Sequence, residues 1–415
     1  MPVTFRTCPM RLLISFAALF LSVVLLQLGT GGVAPLDALS GVELGFSTAE
    51  IGTLGSAHFF GFFIGCWWAP RLMGTVGHSR AFAAFTAAGT IGLIAHMMIV
   101  DPIAWALLRM ASGACVAGCY TIIEAWLQAK VTNETRGRAM GIYRIVDVGG
   151  SLAAQLVIGV LSPATYFSYN LLAIICCAAL LPLTVSRAEQ PDTPEAPRLR
   201  PSMAWAKSPL AAAGVIVSGV STAAFRMVGP IYGIEVGLSA DMIALFLAAF
   251  VLGGAVAQFP VGWLADKYDR RTVLMWLSVT AAVACGTAVA LSGLGIVAIF
   301  LTAGFFGITT MPIYSVSTAH AHDFATDEER VELSAALMFL YALGAIASPL
   351  IASSLIAWFG PASMFVFIAT IHLGLLAFGA LRMRARPAPS DRTRYVYTPR
   401  TSFLIGRLLK RNGED

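Results

Sequence analysis

The apolar residues of this chain come in repeated runs of about 18 to 25, the length an α-helix needs to cross a hydrocarbon core of about 30 Å. Such runs leave the fold little choice, because inside a bilayer every backbone N–H and C=O must find its partner within the segment. Hydrophobic residues make up 58% of the chain and charged residues 12%, against roughly a quarter charged in a soluble domain. A chain of this kind cannot clothe itself in polar surface. Lipid is its solvent, and a string of soluble domains is excluded.

Splitting the sequence where Pro, Gly and charges interrupt the runs gives twelve expected spans. Six lie near 12–39, 51–70, 81–100, 103–127, 139–161 and 165–185. Six more lie near 209–233, 241–261, 272–291, 296–320, 332–357 and 361–383. The first run follows a short basic segment and superficially resembles a secretory signal, but it exceeds a signal's apolar core of about 7 to 15 residues. It is expected to be retained as a span. Between the two sets, 186–208 is rich in Pro and charge and reads as an extended linker. The expected plan is an N-terminal six-helix unit (1–185), the linker (186–208), a C-terminal six-helix unit (209–383) and a basic tail (384–415).

Charge placement tests the count. All but three of the 27 Lys and Arg residues fall in the termini, in the linker and in alternate connections: Arg71 and Arg80; Lys130, Arg136 and Arg138; Lys267, Arg270 and Arg271; and Arg330. The other connections hold Glu43, Glu50, Asp101, Glu235 and Asp241 and no base. Because Lys and Arg near spans are retained on the cytoplasmic side, an even number of spans with both ends in the cytoplasm is expected, in the plasma membrane of a bacterium. The TSFLIGRLLKR segment of the tail is expected to be solvated, or else to lie on anionic lipid.

The halves also repeat. The stretch beginning at Ser47 (STAEIGTLGSAHFFGFFIGCWW) runs without gaps onto the one beginning at Ser239 (SADMIALFLAAFVLGGAVAQFP), with Gly61 on Gly253. Parallel repeats of six spans are one way to build carriers whose site lies near the midplane between repeats.

The loop GWLADKYDRR resembles the signature loop of the major facilitator superfamily: Gly262, Asp266, Arg270 and Arg271 match its pattern. What this resemblance implies is a twelve-helix fold in which the aspartate meets a neighbouring helix end and the arginines hold a cytoplasmic gate. The first-half copy departs from the pattern, with Gly74 in place of the aspartate. Arg109 and Gly113 resemble the family's Arg-x-x-x-Gly pattern in the fourth span, and Gly344 and Pro349 stand in the eleventh. Gly149 and Gly150 lack the proline of the drug/proton antiporter motif. IIEAWLQ, GPIYGIEVGLS and FPVGWLADKYDRR are similar to the YcaD-like branch, which implies fold and transport class, not a solute.

Three bases remain inside the membrane: Arg109, Arg144 and Arg226. Each costs about 2.5 to 3.5 kcal/mol on insertion scales, so each should face the bundle interior and find a partner among Asp37, Glu124 and Asp147. Counted along their spans, Asp37, Arg109 and Arg226 belong in the outer third. Asp37 then pairs with Arg109 in its own half or with Arg226 across the centre, and is the expected proton carrier. Glu124, Arg144 and Asp147 are expected near the inner ends of the fourth and fifth spans, as one network. His58 either titrates in the cavity or packs as a neutral group. Gln155, Gln258 and Tyr341 are further expected lining groups.

His320, His322 and Asp323 look like metal ligands on paper, but they read as a solvated helix end; Cys115 and Cys119 read as packing residues, and no metal or other cofactor is expected. Trp67, Trp68, Trp105 and Trp358 are expected at the interface. No Walker motif occurs, so ATP is not the expected driver, and neither HExxH nor GxSxG marks an intramembrane enzyme. The expected function is therefore secondary transport of a small organic solute, proton-coupled and outward, by a monomer that binds no nucleic acid. An importer or facilitator of the same fold is the alternative, and a membrane receptor or enzyme is the reading from another class.

Overall fold

The computed structural model describes residues 9–131, 133–185, 199–326, 328–385 and Tyr395; within these, side chains are described except at 9–15, 128–130, 133–138 and 385. The described residues form helices and short turns. Six long helices make the first half: α1 (Pro9–Thr30, continued by Val33–Glu43), α2 (Thr48–Val76), α3 (His78–His96), α4 (Pro102–Lys130), α5 (Asn133–Ile158) and α6 (Tyr166–Ala178, continued by Leu180–Val185). The second half has α7 (Pro209–Ala223, a π-turn Ala224–Val228, then Gly229–Glu235), α8 (Ala240–Lys267), α9 (Arg270–Leu291), α10 (Ile296–His322), α11 (Arg330–Phe359) and α12 (Ala362–Ala385).

Ten of these stretches are long and apolar enough to cross a bilayer. The other two, α2 and α3, have 29 and 19 residues, but their hydropathy is diluted by glycines and His58 in α2 and by Arg80 and His96 in α3. Both pack along α4.

The acids of the base-free connections do local work. Ser47 and Glu50 form a reciprocal capping box at the start of α2, and Asp101 accepts from the backbone N–H of Ile103 and Ala104 at the start of α4. A carboxylate there satisfies donors that the first helical turn leaves unpaired and complements the helix dipole.

The two halves share one close helix crossing. A Cβ on Gly61 would strike the Met110 carbonyl and one on Gly113 the His58 carbonyl, so α2 and α4 meet backbone to backbone. In the second half a Cβ on Gly253 would strike the Gly304 carbonyl and one on Gly307 the Phe250 carbonyl, giving α8 and α10 the same embrace. Glycine at each crossing lets the axes approach and dispersion contacts accumulate.

Between halves, α2 packs on α11 and α5 on α8. Both contacts are tight at the base-free end: Gly52 lies against Ser353 and the Pro349 carbonyl, while a Cβ on Gly159 would stand 3.2 Å from Ala244 Cβ and from Asp241 Cα. That end of the molecule is closed.

Several local expectations change. Within the linker, Pro201–Lys207 is helical rather than extended, with Pro201 in its first turn and Ala204 buried. It is pinned to the start of α11 by Lys207 on Glu329 at 2.7 Å and Arg200 on Glu332 at 3.7 Å. The α5 helix starts at Asn133, six residues before 139, but its apolar span runs from Ala139 to Ile158, which puts Asp147 near mid-span instead of near the inner end. Trp67, Trp68 and Trp358 are exposed as interface residues should be, but Trp105 is fully buried and donates its indole N–H to the His96 carbonyl at 2.8 Å. The TSFLIGRLLKR segment lies outside the described residues.

Candidate functional site

A cavity of about 170 Å³ lies between the two halves. Its first-half wall is polar: Gln27 and Thr30 of α1, His58 of α2, Arg109 and Tyr120 of α4, and Asp147, Ser151 and Gln155 of α5. The second-half wall is mostly apolar, with Met227, Leu247, Phe250, Val251 and Met311; its polar members are Thr222, Arg226 and Tyr341.

Asp147 is the centre of the polar wall. One carboxylate oxygen accepts from the Gln27 side-chain amide at 2.7 Å and from the Tyr120 hydroxyl at 2.8 Å. The positive charges of Arg226, from the opposite half, and then of Arg144 act on it. Arg226 falls within the π-turn of α7, where an extra residue per turn rotates the side chains that follow; such turns recur at functional sites. It faces the same cavity as Asp147.

Asp37 sits in a separate, closed cluster. It is 2% exposed, with Arg109 Nε 3.2 Å and His96 Nε2 3.7 Å from one oxygen, and it accepts a 2.8 Å hydrogen bond from the Tyr169 hydroxyl on the other. The His96 ring stacks on Tyr169 with centroids 5.2 Å apart, and its Nδ1 lies 2.7 Å from the Gly92 carbonyl. Of the two partners open to Asp37, the structure selects Arg109. Asp37 does not line the cavity, whereas Arg109 does.

Other expected groups are distributed as follows. Glu124 is buried and accepts from the Tyr143 hydroxyl at 3.2 Å, Asp147 accepts from Gln27 and Tyr120, and the charge of Arg144 acts on Asp147. His58 lines the cavity against the Arg109 backbone, and its Nδ1 has no hydrogen-bond partner among the described atoms. Gln155 lines the cavity and donates to the Gly31 carbonyl at 3.1 Å; Tyr341 lines it edge-on to Tyr314. Gln258 does not reach it: its side-chain oxygen accepts from Tyr395 at 3.1 Å.

At the basic end, Arg270 is buried and holds Asp323 at 2.6 Å, the Ala319 carbonyl at 3.0 Å and Asp266 at 3.3 Å; Arg271 binds Asp269 at 2.7 Å. These contacts correct the reading of His320, His322 and Asp323 as a solvated helix end. Both histidines are 3% exposed, and His322 spans the Thr318 carbonyl and the Ser334 hydroxyl. In the first half no such carboxylate stands at Gly74, and α2 closes on Gly77 with φ of 82°.

Residue reasoning missed Gln27, Tyr120, His96 and Tyr169. Gln27 left a signal, as the lone amide in the apolar run LFLSVVLLQLG. The tyrosines left none, because a tyrosine in an apolar run is as often an interface or packing residue.

Long membrane helices in two halves around one polar cavity define a secondary solute carrier, not an enzyme. The chain belongs to the Major Facilitator Superfamily, whose model matches it twice, over residues 19–217 and 211–413. It is 26% identical over 351 residues to an MFS-type transporter of Yersinia pestis, covering 84% of this chain and 89% of that one. It is 23% identical over 329 residues to the MFS-type transporter YcaD of Escherichia fergusonii, covering 78% of this chain and 84% of that one. In fold it resembles a crystal structure of the nucleoside transporter NupG, with a TM-score of 0.67 at 15% identity, covering 89% of this chain and 98% of that one. It also resembles a bacterial homologue of the lysosomal transporter Spinster in an inward-facing, occupied conformation, with a TM-score of 0.72 at 15% identity, covering 90% and 97%.

Proposed function

We propose that this carrier exports a small zwitterionic solute in exchange for protons, as a monomer, with both termini and the basic end of the bundle in the cytoplasm. The observation that carries the reading is the placement of Asp147 and Arg226: opposite charges, from opposite halves, on one cavity. A solute with an ammonium and a carboxylate satisfies both groups and draws the halves together around itself. The apolar wall of Leu247, Phe250, Val251 and Met311 accommodates a modest apolar substituent beside the two charged groups.

Competition supports exchange. The ammonium and a proton both neutralise Asp147, so one carboxylate cannot hold both at once. A proton entering down its gradient displaces the solute, and an inward proton gradient then drives export. The proton site is accordingly Asp147, on the cavity, in preference to Asp37, which is sealed between Arg109 and Tyr169. The retention of Lys and Arg on the cytoplasmic side supports the orientation.

The test uses purified protein in oriented proteoliposomes loaded with labelled amino-acid-like zwitterions, or with matched organic anions and cations, and an internal pH dye. Acidifying the face opposite the basic end should accelerate zwitterion efflux with matching internal acidification, and Asp147→Asn should remove both. Solute and proton moving in the same direction, selective transport of single-sign solutes, or coupling that survives Asp147→Asn overturns the reading.

A further inference from the structure

Along α8, Leu247, Val251, Gln258, Gly262 and Asp266 are spaced by four, seven, four and four residues, which places them on one helix face. Leu247 and Val251 line the cavity; the other three continue that face toward the basic end. They carry Tyr395 of the tail. The Tyr395 backbone N–H donates to Asp266 at 2.6 Å and its hydroxyl to Gln258 at 3.1 Å. Between them its ring lies in the notch left by Gly262, where a Cβ would come within 2.7 Å of two ring carbons. The ring also packs on the apolar cluster that includes Val261, Ala265 and Ile313.

The seat is a place where closure must occur. At the base-free end α5 and α8 already touch, through Gly159, Ala244 and Asp241. The two helices run antiparallel side by side, so rocking the halves to seal the basic end brings the first part of α5 toward the Gln258–Gly262–Asp266 face. Ring and helix cannot share it.

We infer that Tyr395 is a wedge supplied by the chain's own tail: seated on Gln258, Gly262 and Asp266, it holds the basic end of the carrier open and must withdraw for that end to close. This rests on the alternation of the two halves, but not on the identity of the solute or on protons. Gly262 and Asp266 thereby gain a role in the conformation with the basic end open, as the socket for the tail.

The experiment measures the distance between spin labels at Thr75→Cys on α2 and Lys267→Cys on α8, in full-length protein carrying Cys8→Ser and Cys177→Ser and without added solute. The parent protein should show one dominant long distance. Tyr395→Ala and Gly262→Ala, the second expelling the ring from its notch, should each raise the short-distance population several-fold. Tyr395→Phe, which retains the ring, should stay close to the parent. A Tyr395→Ala distribution that superimposes on the parent, with both proteins monodisperse, overturns the wedge. Because no transport is measured, failure of the zwitterion or proton reading leaves this result unaffected.

Discussion

The two halves are built on one scaffold and furnished differently. Gly61 and Gly253 occupy the same repeat position and make the same backbone crossing, on Met110 and Gly304. Three residues earlier, His58 in the first half corresponds to Phe250 in the second, and both face the cavity. Around His58 the first half assembles charge, in the Asp37–Arg109–His96–Tyr169 cluster and in Asp147. Around Phe250 the second half assembles rings: Phe225 stacks on Phe250 at 4.4 Å and on Phe306 at 5.1 Å, and Phe306 meets Phe365 edge-on at 5.9 Å. A position whose backbone touches another backbone tolerates only glycine, so the scaffold repeats. A position facing the cavity is limited by no such contact, and there the halves have divided the work between polar recognition and apolar support.

The largest expected effect tests the shared part. Gly61→Leu and Gly253→Leu should each abolish a folded, monodisperse protein, since the side chain would have to occupy the space of a carbonyl that cannot move. Size-exclusion chromatography after detergent extraction checks this, and a well-folded variant in one half alone would break the equivalence.

Next comes the Asp37–Arg109 cluster of the first half. Asp37→Asn leaves the Arg109 guanidinium buried without its counter-charge, which should cost about 3 to 5 kcal/mol. It should appear as a large drop in melting temperature, with proton coupling intact in the molecules that remain folded. Loss of coupling at unchanged melting temperature would return the proton to Asp37.

A smaller effect is expected where the furnishings are exchanged. His58→Phe makes the first wall like the second and should weaken solute binding several-fold with little change in stability, while Phe250→His should destabilise by about 1 to 3 kcal/mol because the ring stack loses a member. Isothermal titration and thermal melts separate the two.

The smallest effect concerns the linker helix. The Glu329 carboxyl is held below the usual carboxylate range by its hydrogen bond from Lys207, aided by the Thr326 backbone N–H. Its contribution is therefore present above the ordinary glutamate range and is lost as pH falls through the lowered value. For so exposed a pair this amounts to a few tenths of a kcal/mol. Lys207→Ala should abolish that shallow acid dependence in amide exchange of Pro201–Lys207 and alter little else.

The amino-acid sequence by itself determined that lipid is the solvent, that the chain has two related halves, and that the bases gather at one end. It also marked the signature loop from Gly262 to Arg271. These properties are set by length, composition and local spacing, which act segment by segment. The pairing of charges was decided only in three dimensions. Asp147 falls near the middle of the span Ala139–Ile158, and Arg226, in the π-turn of α7, faces the same cavity from the other half. Each helical residue rotates a side chain by about 100° and raises it by 1.5 Å, so small errors in helix boundaries exchange one partner for another. For the same reason Tyr395 gave no sign of its seat, which exists only because Gln258, Gly262 and Asp266 share a face of α8.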